Sequence, residues 1–157
     1  MTSVTLQRTI PASPATVYRA WLDPDLLLGW LAPVEYEAVR VEVDERVGGH
    51  YRCWHVDAQG EDVGGFDCEI LELVPDERIV LRWQFVGPDR RPLADASSRL
   101  TVVLHPLPPD ACELTLVHDR LDDLERQMPG MTEGTRRGWT GTMARLERTV
   151  RADRLSP

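Results

Sequence analysis

RVGGHYRCW, residues 46–54, sets two adjacent glycines directly before a run whose aromatic and polar residues read as the body of a β-strand. Glycine is poorly suited to a strand interior, so it marks a bulge, a sharp bend or the close approach of another backbone. A second pair, Gly64 and Gly65, stands before FDCEILEL. Two such pairs predict a sheet that bends and wraps instead of stacking flat. A tight turn without further meaning is the alternative for either pair.

Working outward, the residues from Tyr36 onward fall into β-branched and aromatic segments divided by the turn clusters DAQGED, VPDE, VGPDRRP and LPPD, the pattern of an antiparallel meander. In RIVLRWQFV, Ile79, Leu81, Trp83 and Phe85 share one face. The matching sets are Leu100, Val102 and Leu104 in SRLTVVLH, and Cys112, Leu114, Leu116 and His118 in CELTLVHD. His118 therefore points with the core.

Ahead of the meander, Val4 to Ile10 alternates as a half-buried strand and ends at Pro11. Ser13-Pro14 and Asp23-Pro24 are two helix starts, each a capping side chain followed by a proline suited to the first turn. The first helix carries Val17, Ala20 and Trp21; the second carries Leu26, Leu27 and Trp30 and stops at Pro33. After Pro129 the period becomes 3.6, with Thr135, Trp139, Thr142, Met143, Leu146 and Val150 on one stripe of a long helix. Gly134, Gly138 and Gly141 lie beside that stripe, although each costs a helix about 1 kcal/mol relative to alanine. Either something packs closely there or space is being left.

The chain has 157 residues, 42% hydrophobic and 28% charged, which fits one globular domain over residues 1–157. A formal net charge of -8 argues against a nucleic-acid partner. Arg136, Arg137, Arg145, Arg148, Arg151 and Arg154 enrich the last helix, where the spacing reads as a solvated face. Cys53, Cys68 and Cys112 are odd in number and lack a CxxC pair, so they read as small core residues in a reducing compartment. No apolar run is long enough for membrane insertion, and the first residues lack a signal peptide's apolar stretch. A cytoplasmic location is expected.

Specific words then extend the pattern: ATVYRAWLDPDLLLGWLAP, VDERVGGHYRCW, ILELVPDERIVLRW, LTLVH and the helix-borne Gly138-Trp139. Together they resemble the activator of heat shock protein 90 ATPase homologue family, a branch of the SRPBCC, START-like or birch-pollen-allergen-like superfamily. The resemblance runs from about Val4 to about Val150. It implies an α+β helix-grip fold, in which a curved antiparallel sheet of six or seven strands surrounds the long C-terminal helix and two short helices follow the first strand. Leu31 departs from the family, which often places a second tryptophan after Trp30.

The resemblance also implies a cavity between sheet and helix, onto which the inward residues are projected. Trp83, Phe85, Val102, Leu116, Trp139 and Met143 would supply apolar wall, with Tyr51 and His118 as polar handles; each is equally readable as core. An imidazole on an apolar face needs a hydrogen-bond partner and titrates near neutral pH, so His118 is the leading candidate for chemistry, with a satisfied structural histidine as the favoured plainer reading. Glu69 is the second. It shares strand parity with Asp67, Leu71 and Leu73, and its side depends on local bulging; convergence with His118 would make an acid-base pair.

His50 and His55 point to opposite faces and His105 follows another parity, so no metal site is expected. Neither GxSxG, GxxxxGK[ST] nor a strand-borne GxGxxG occurs. Three functions follow as expectations. The first is cofactor-independent binding of a small hydrophobic molecule, and the second an enzyme of cyclase, dehydratase or hydrolase type using Glu69 and His118. The third is a chaperone-associated interaction module, with the stress-response link that the family's name carries. Chaperone activators with this domain also carry a separate N-terminal region for which these residues leave no room, so chaperone binding is not expected. A homodimer is common among such small domains.

Overall fold

The computed structural model describes residues 2–155, with side chains as far as residue 152, so the expectation for the Arg154 side chain lies outside what is described. Strand β1 (Val4–Ile10) leads into helix α1 (Pro14–Leu22), whose start is fixed as the sequence predicts: Ser13 Oγ accepts from the Thr16 amide at 3.2 Å, and proline opens the first turn. Helix α2 (Pro24–Leu27) repeats the device, with Asp23 Oδ1 accepting from the Asp25 amide at 2.9 Å. It is a single turn, and irregular backbone carries the chain past buried Trp30 and Leu31.

The meander follows as β2 (Glu37–Val43), β3 (His50–Val56), β4 (Asp62–Val74), β5 (Arg78–Trp83), β6 (Phe85–Val86), β7 (Ser98–Leu107) and β8 (Ala111–Asp119). All pairings are antiparallel and the spatial order is β1-β8-β7-β5-β4-β3-β2, while β6 pairs with β4. Short β6 continues the register of β5 against β4, since Glu69 lies opposite Arg82 and Phe66 opposite Phe85. The sheet curls as a half-barrel around helix α4 (Met131–Leu155), to which helix α3 (Asp122–Gln127) leads. This is the helix-grip arrangement, and α3 is the element that the sequence pattern did not announce.

The two glycine pairs turn out to do different work. Gly48 (φ +85°) and Gly49 form the turn between β2 and β3, and a methyl group on Gly49 would overlap the Asp44 carbonyl oxygen. Gly64 and Gly65 lie inside β4, where the register against β3 shifts and the strand begins to pair with β6. A methyl group there would overlap the carbonyl oxygens of Val86 and Cys53, respectively. The bend belongs to the second pair; the first takes the plainer role of a turn.

The core forms where inward strand residues meet the stripe of α4. Ile79, Leu81, Trp83, Leu100, Val102, Leu104, Cys112, Leu114 and Leu116 are buried from the sheet, and Trp139, Met143, Leu146 and Val150 from the helix. Full burial of such side chains contributes about 1.5–3 kcal/mol each. Strand β3 adds a polar seam. Tyr51 Oη donates to the Trp21 carbonyl at 2.7 Å, Cys53 Sγ to the Leu31 carbonyl at 3.4 Å, and His55 Nε2 bonds that same carbonyl at 2.8 Å. These bonds tie the segment after α1 onto the sheet.

Candidate functional site

A cavity of about 320 Å³ lies between the sheet and the first half of α4. One wall is aromatic, built by Phe66 of β4, Trp83 of β5 and Phe85 of β6; the ring centroids of Phe66 and Trp83 are 4.4 Å apart and those of Phe66 and Phe85 5.7 Å. The opposite wall is Met131, Gly134, Thr135, Gly138, Trp139 and Thr142, on successive turns of α4. The segment from Leu31 to Tyr36 closes the third side.

The glycines of α4 explain the hollow. A methyl group on Gly134 or Gly138 would meet nothing within 4 Å: half-buried Gly138 leaves space within the cavity and exposed Gly134 lies at its rim, each at a cost in helix propensity. Gly141 has the other role that the sequence allowed: its missing side chain makes room for Val34, whose Cγ2 lies against the helix. Two glycines thus leave room and the third permits close packing.

Of the residues projected onto the site, Trp83, Phe85 and Trp139 line the cavity. Val102, Leu116 and Met143 are buried in the main core and are not part of the lining. Tyr51 is also outside it, its hydroxyl engaged by the Trp21 carbonyl. Leu31 is fully buried and forms part of the cavity wall. Phe66, Tyr36, Met131 and Thr135 were not singled out for the site by sequence reasoning; inward parity with Cys68 and Ile70 was the signal available for Phe66.

Glu69 and His118 do not converge. A bulge in β4, between Ile70 and Glu72, inserts Leu71 and turns Leu73 inward while Glu69 stays on the outer face. There Glu69 Oε1 accepts from Arg82 at 2.7 Å. His118 is fully buried on the inner face, its Nδ1 accepting from Trp139 Nε1 at 3.0 Å and its Nε2 facing Ser98 Oγ at 2.7 Å. Because an indole nitrogen only donates, Nδ1 keeps its lone pair, and the ring proton sits on Nε2 and is donated to Ser98. Burial lowers the His118 pKa to about 3, with Asp119 opposing the shift. His118 is a satisfied core histidine that holds Trp139 in the cavity wall.

The polar groups of the lining are few. Thr142 Oγ1 is within reach of the Ala32 carbonyl (3.1 Å) and the Gly138 carbonyl (2.8 Å). Among the described residues, Glu35 is the one lining side chain with a formal charge at neutral pH. Thr135 Oγ1 and Trp83 Nε1 are buried and have no hydrogen-bond partner.

A curled antiparallel sheet closed on a long C-terminal helix, with a ligand-sized hollow between them, defines a helix-grip domain. The chain belongs to the family described as Activator of Hsp90 ATPase homolog 1-like protein, whose model matches residues 11–151. Among solved structures it is similar to protein CV1439 from Chromobacterium violaceum, with 31% identity over 95% of this chain and 96% of that one, and a TM-score of 0.77. The AHSA1 (SPO3351) protein from Silicibacter pomeroyi shares 19% identity over 96% of this chain and 99% of its own, also with a TM-score of 0.77. DynU16, a protein in the dynemicin biosynthetic locus, matches at 19% identity and a TM-score of 0.69 over 96% of this chain but only 48% of its own. These last two likenesses concern the fold alone. Among curated proteins none matches the sequence. No helix among the described residues is long and apolar enough to cross a membrane.

Proposed function

We propose that this chain binds a small hydrophobic molecule in the cavity between the sheet and α4. The observation that carries the reading is the pair Gly134 and Gly138, which weakens the helix and leaves open space opposite an aromatic wall. A volume of about 320 Å³ falls within the span of small-molecule sites, at its lower end. Trp83, Phe85 and Trp139 are the contact residues foreseen from sequence, and Phe66 and Leu31 join them. Acid-base catalysis is not part of this reading, since Glu69 lies across the sheet and both ring nitrogens of His118 are engaged.

Indole N–H resonances provide the test, because Trp83 and Trp139 line the cavity whereas Trp54 belongs to the outer face of β3. Titration with a panel of apolar ligands is expected to shift the Trp83 and Trp139 signals and raise the melting temperature, leaving Trp54 unmoved. A panel in which no member perturbs the cavity residues would overturn the proposal.

A further inference from the structure

The cavity's chemistry narrows what it accepts, and the narrowing rests on the ligand-binding reading above. Four buried side-chain polar atoms lack a hydrogen-bond partner among the described residues, and two of them, Thr135 Oγ1 and Trp83 Nε1, belong to residues lining this one cavity. Thr135 is 6% exposed and Trp83 1%, so bulk water does not satisfy them. Leaving such groups unpaired is costly, which favours any ligand that pairs them. Two further polar groups there are engaged, the Trp139 indole by His118 and the Thr142 hydroxyl by backbone carbonyls.

An indole N–H donates and cannot accept, so the complement to Trp83 is an acceptor atom. The hydroxyl of Thr135, on the facing wall, can likewise donate to an acceptor. Charge then excludes the anionic acceptors. No arginine or histidine lines the cavity among the described residues, Glu35 adds a negative charge, and Arg145 beside it is already bound to the carbonyls of Ala32, Val34 and Tyr36. A carboxylate taken into such a site would be desolvated without a counter-charge. The aromatic wall favours a flat ring system, which stacks or meets edge to face on Trp and Phe rings.

We infer that the cavity selects an uncharged aromatic molecule of one or two rings bearing a carbonyl or ether oxygen, received by the Thr135 hydroxyl and the Trp83 indole N–H. Carboxylates of the same shape, fatty acids included, are rejected.

Three naphthalenes of similar size separate the possibilities: acetylnaphthalene, ethylnaphthalene and naphthoate, titrated at neutral pH with indole N–H shifts as the readout. The ketone is expected to bind at least about tenfold tighter than naphthoate. Thr135→Val should weaken the ketone by about 3- to 10-fold and leave ethylnaphthalene within about twofold, while Thr135→Ser, which keeps the hydroxyl, retains ketone binding. Naphthoate binding as tightly as the ketone would overturn the inference, as would equal effects of Thr135→Val on ketone and hydrocarbon. If neither neutral probe binds, or if Gly138→Leu leaves their binding unchanged, the cavity reading itself falls and this inference with it.

Discussion

Trp139 Nε1 donates to His118 Nδ1 at 3.0 Å, joining the wall of the cavity to the C-terminal end of β8. The bond fixes the tautomer of the imidazole, and its other nitrogen is fixed in turn by Ser98 Oγ at 2.7 Å. Protonating His118 would place an N–H against the indole donor at a fully buried position. The depressed pKa has that geometry as its companion, and it converts a candidate catalyst into a strut.

Stability is expected to fall as the solution becomes mildly acidic. Burial lowers His55 to about 4 and His118 to about 3, both below the ordinary value of 6.5. Between 6.5 and those values the unfolded chain binds protons that the native state refuses, so stability rises with pH in that window and is fully present above 6.5. Each histidine contributes about 1.4 kcal/mol per pH unit, and the pair roughly 4 kcal/mol between pH 6.5 and 5. Urea unfolding across that range measures the slope; a flat profile from pH 7 to 5 would contradict the buried neutral histidines.

The two residues that sequence put forward for chemistry should respond oppositely to substitution. His118→Leu leaves the Trp139 N–H and Ser98 hydroxyl buried without partners, a loss of about 2–4 kcal/mol. Glu69→Gln disturbs only a solvent-facing ion pair with Arg82, so less than about 0.5 kcal/mol is expected. Chemical denaturation of both variants decides it, and comparable losses would mean that Glu69 is not where it has been placed.

That contrast shows what the sequence could and could not carry. The stripe from Thr135 to Val150 was legible because six residues at a 3.6 period leave one arrangement, and all six are buried. Inward strand residues were legible by period two as far as the first irregularity. Glu69 was not, because inserted Leu71 breaks parity and nothing in FDCEILEL announces a bulge. Which polar side chains are free to act as handles was not legible for a related reason. Whether His118, Tyr51 or Thr135 is satisfied depends on partners distant in the chain, Ser98 and Trp139 for His118 and Trp21 for Tyr51, and these appear only when the sheet has closed.

Helix α4 offers a third measurement. Gly138→Ala adds a methyl group into open space and should stabilise the protein by about 0.5–1 kcal/mol through helix propensity. At Gly141 the same methyl group collides with Val34 Cγ2, so Gly141→Ala is expected to lose that gain, with Val34 forced aside. Thermal unfolding of the two variants side by side tests the distinction. Equal stabilisation would mean that Val34 does not hold its place against the helix.

Arg145 departs from the solvated face on which its spacing placed it, and the departure has a consequence for the cavity. Its guanidinium donates to the carbonyls of Ala32 (3.3 Å), Tyr36 (2.8 Å) and Val34 (3.1 Å) and to Glu37 Oε1 (3.2 Å), with the side chain only 13% exposed. One side chain therefore holds the segment from Leu31 to Tyr36 that forms the third wall. Arg145→Ala should destabilise the protein by about 1–3 kcal/mol, because carbonyls lose a charged donor. Arg145→Lys should recover less than half of that, since a single ammonium cannot reproduce a fork spread over separate carbonyls. Amide hydrogen exchange is the sharper readout: residues 32–37 should exchange faster in both variants while the β7 and β8 amides keep their protection. Unchanged exchange at residues 32–37 would mean that the wall stands without Arg145, held by Thr142, Cys53 and His55 through their bonds to Ala32 and Leu31.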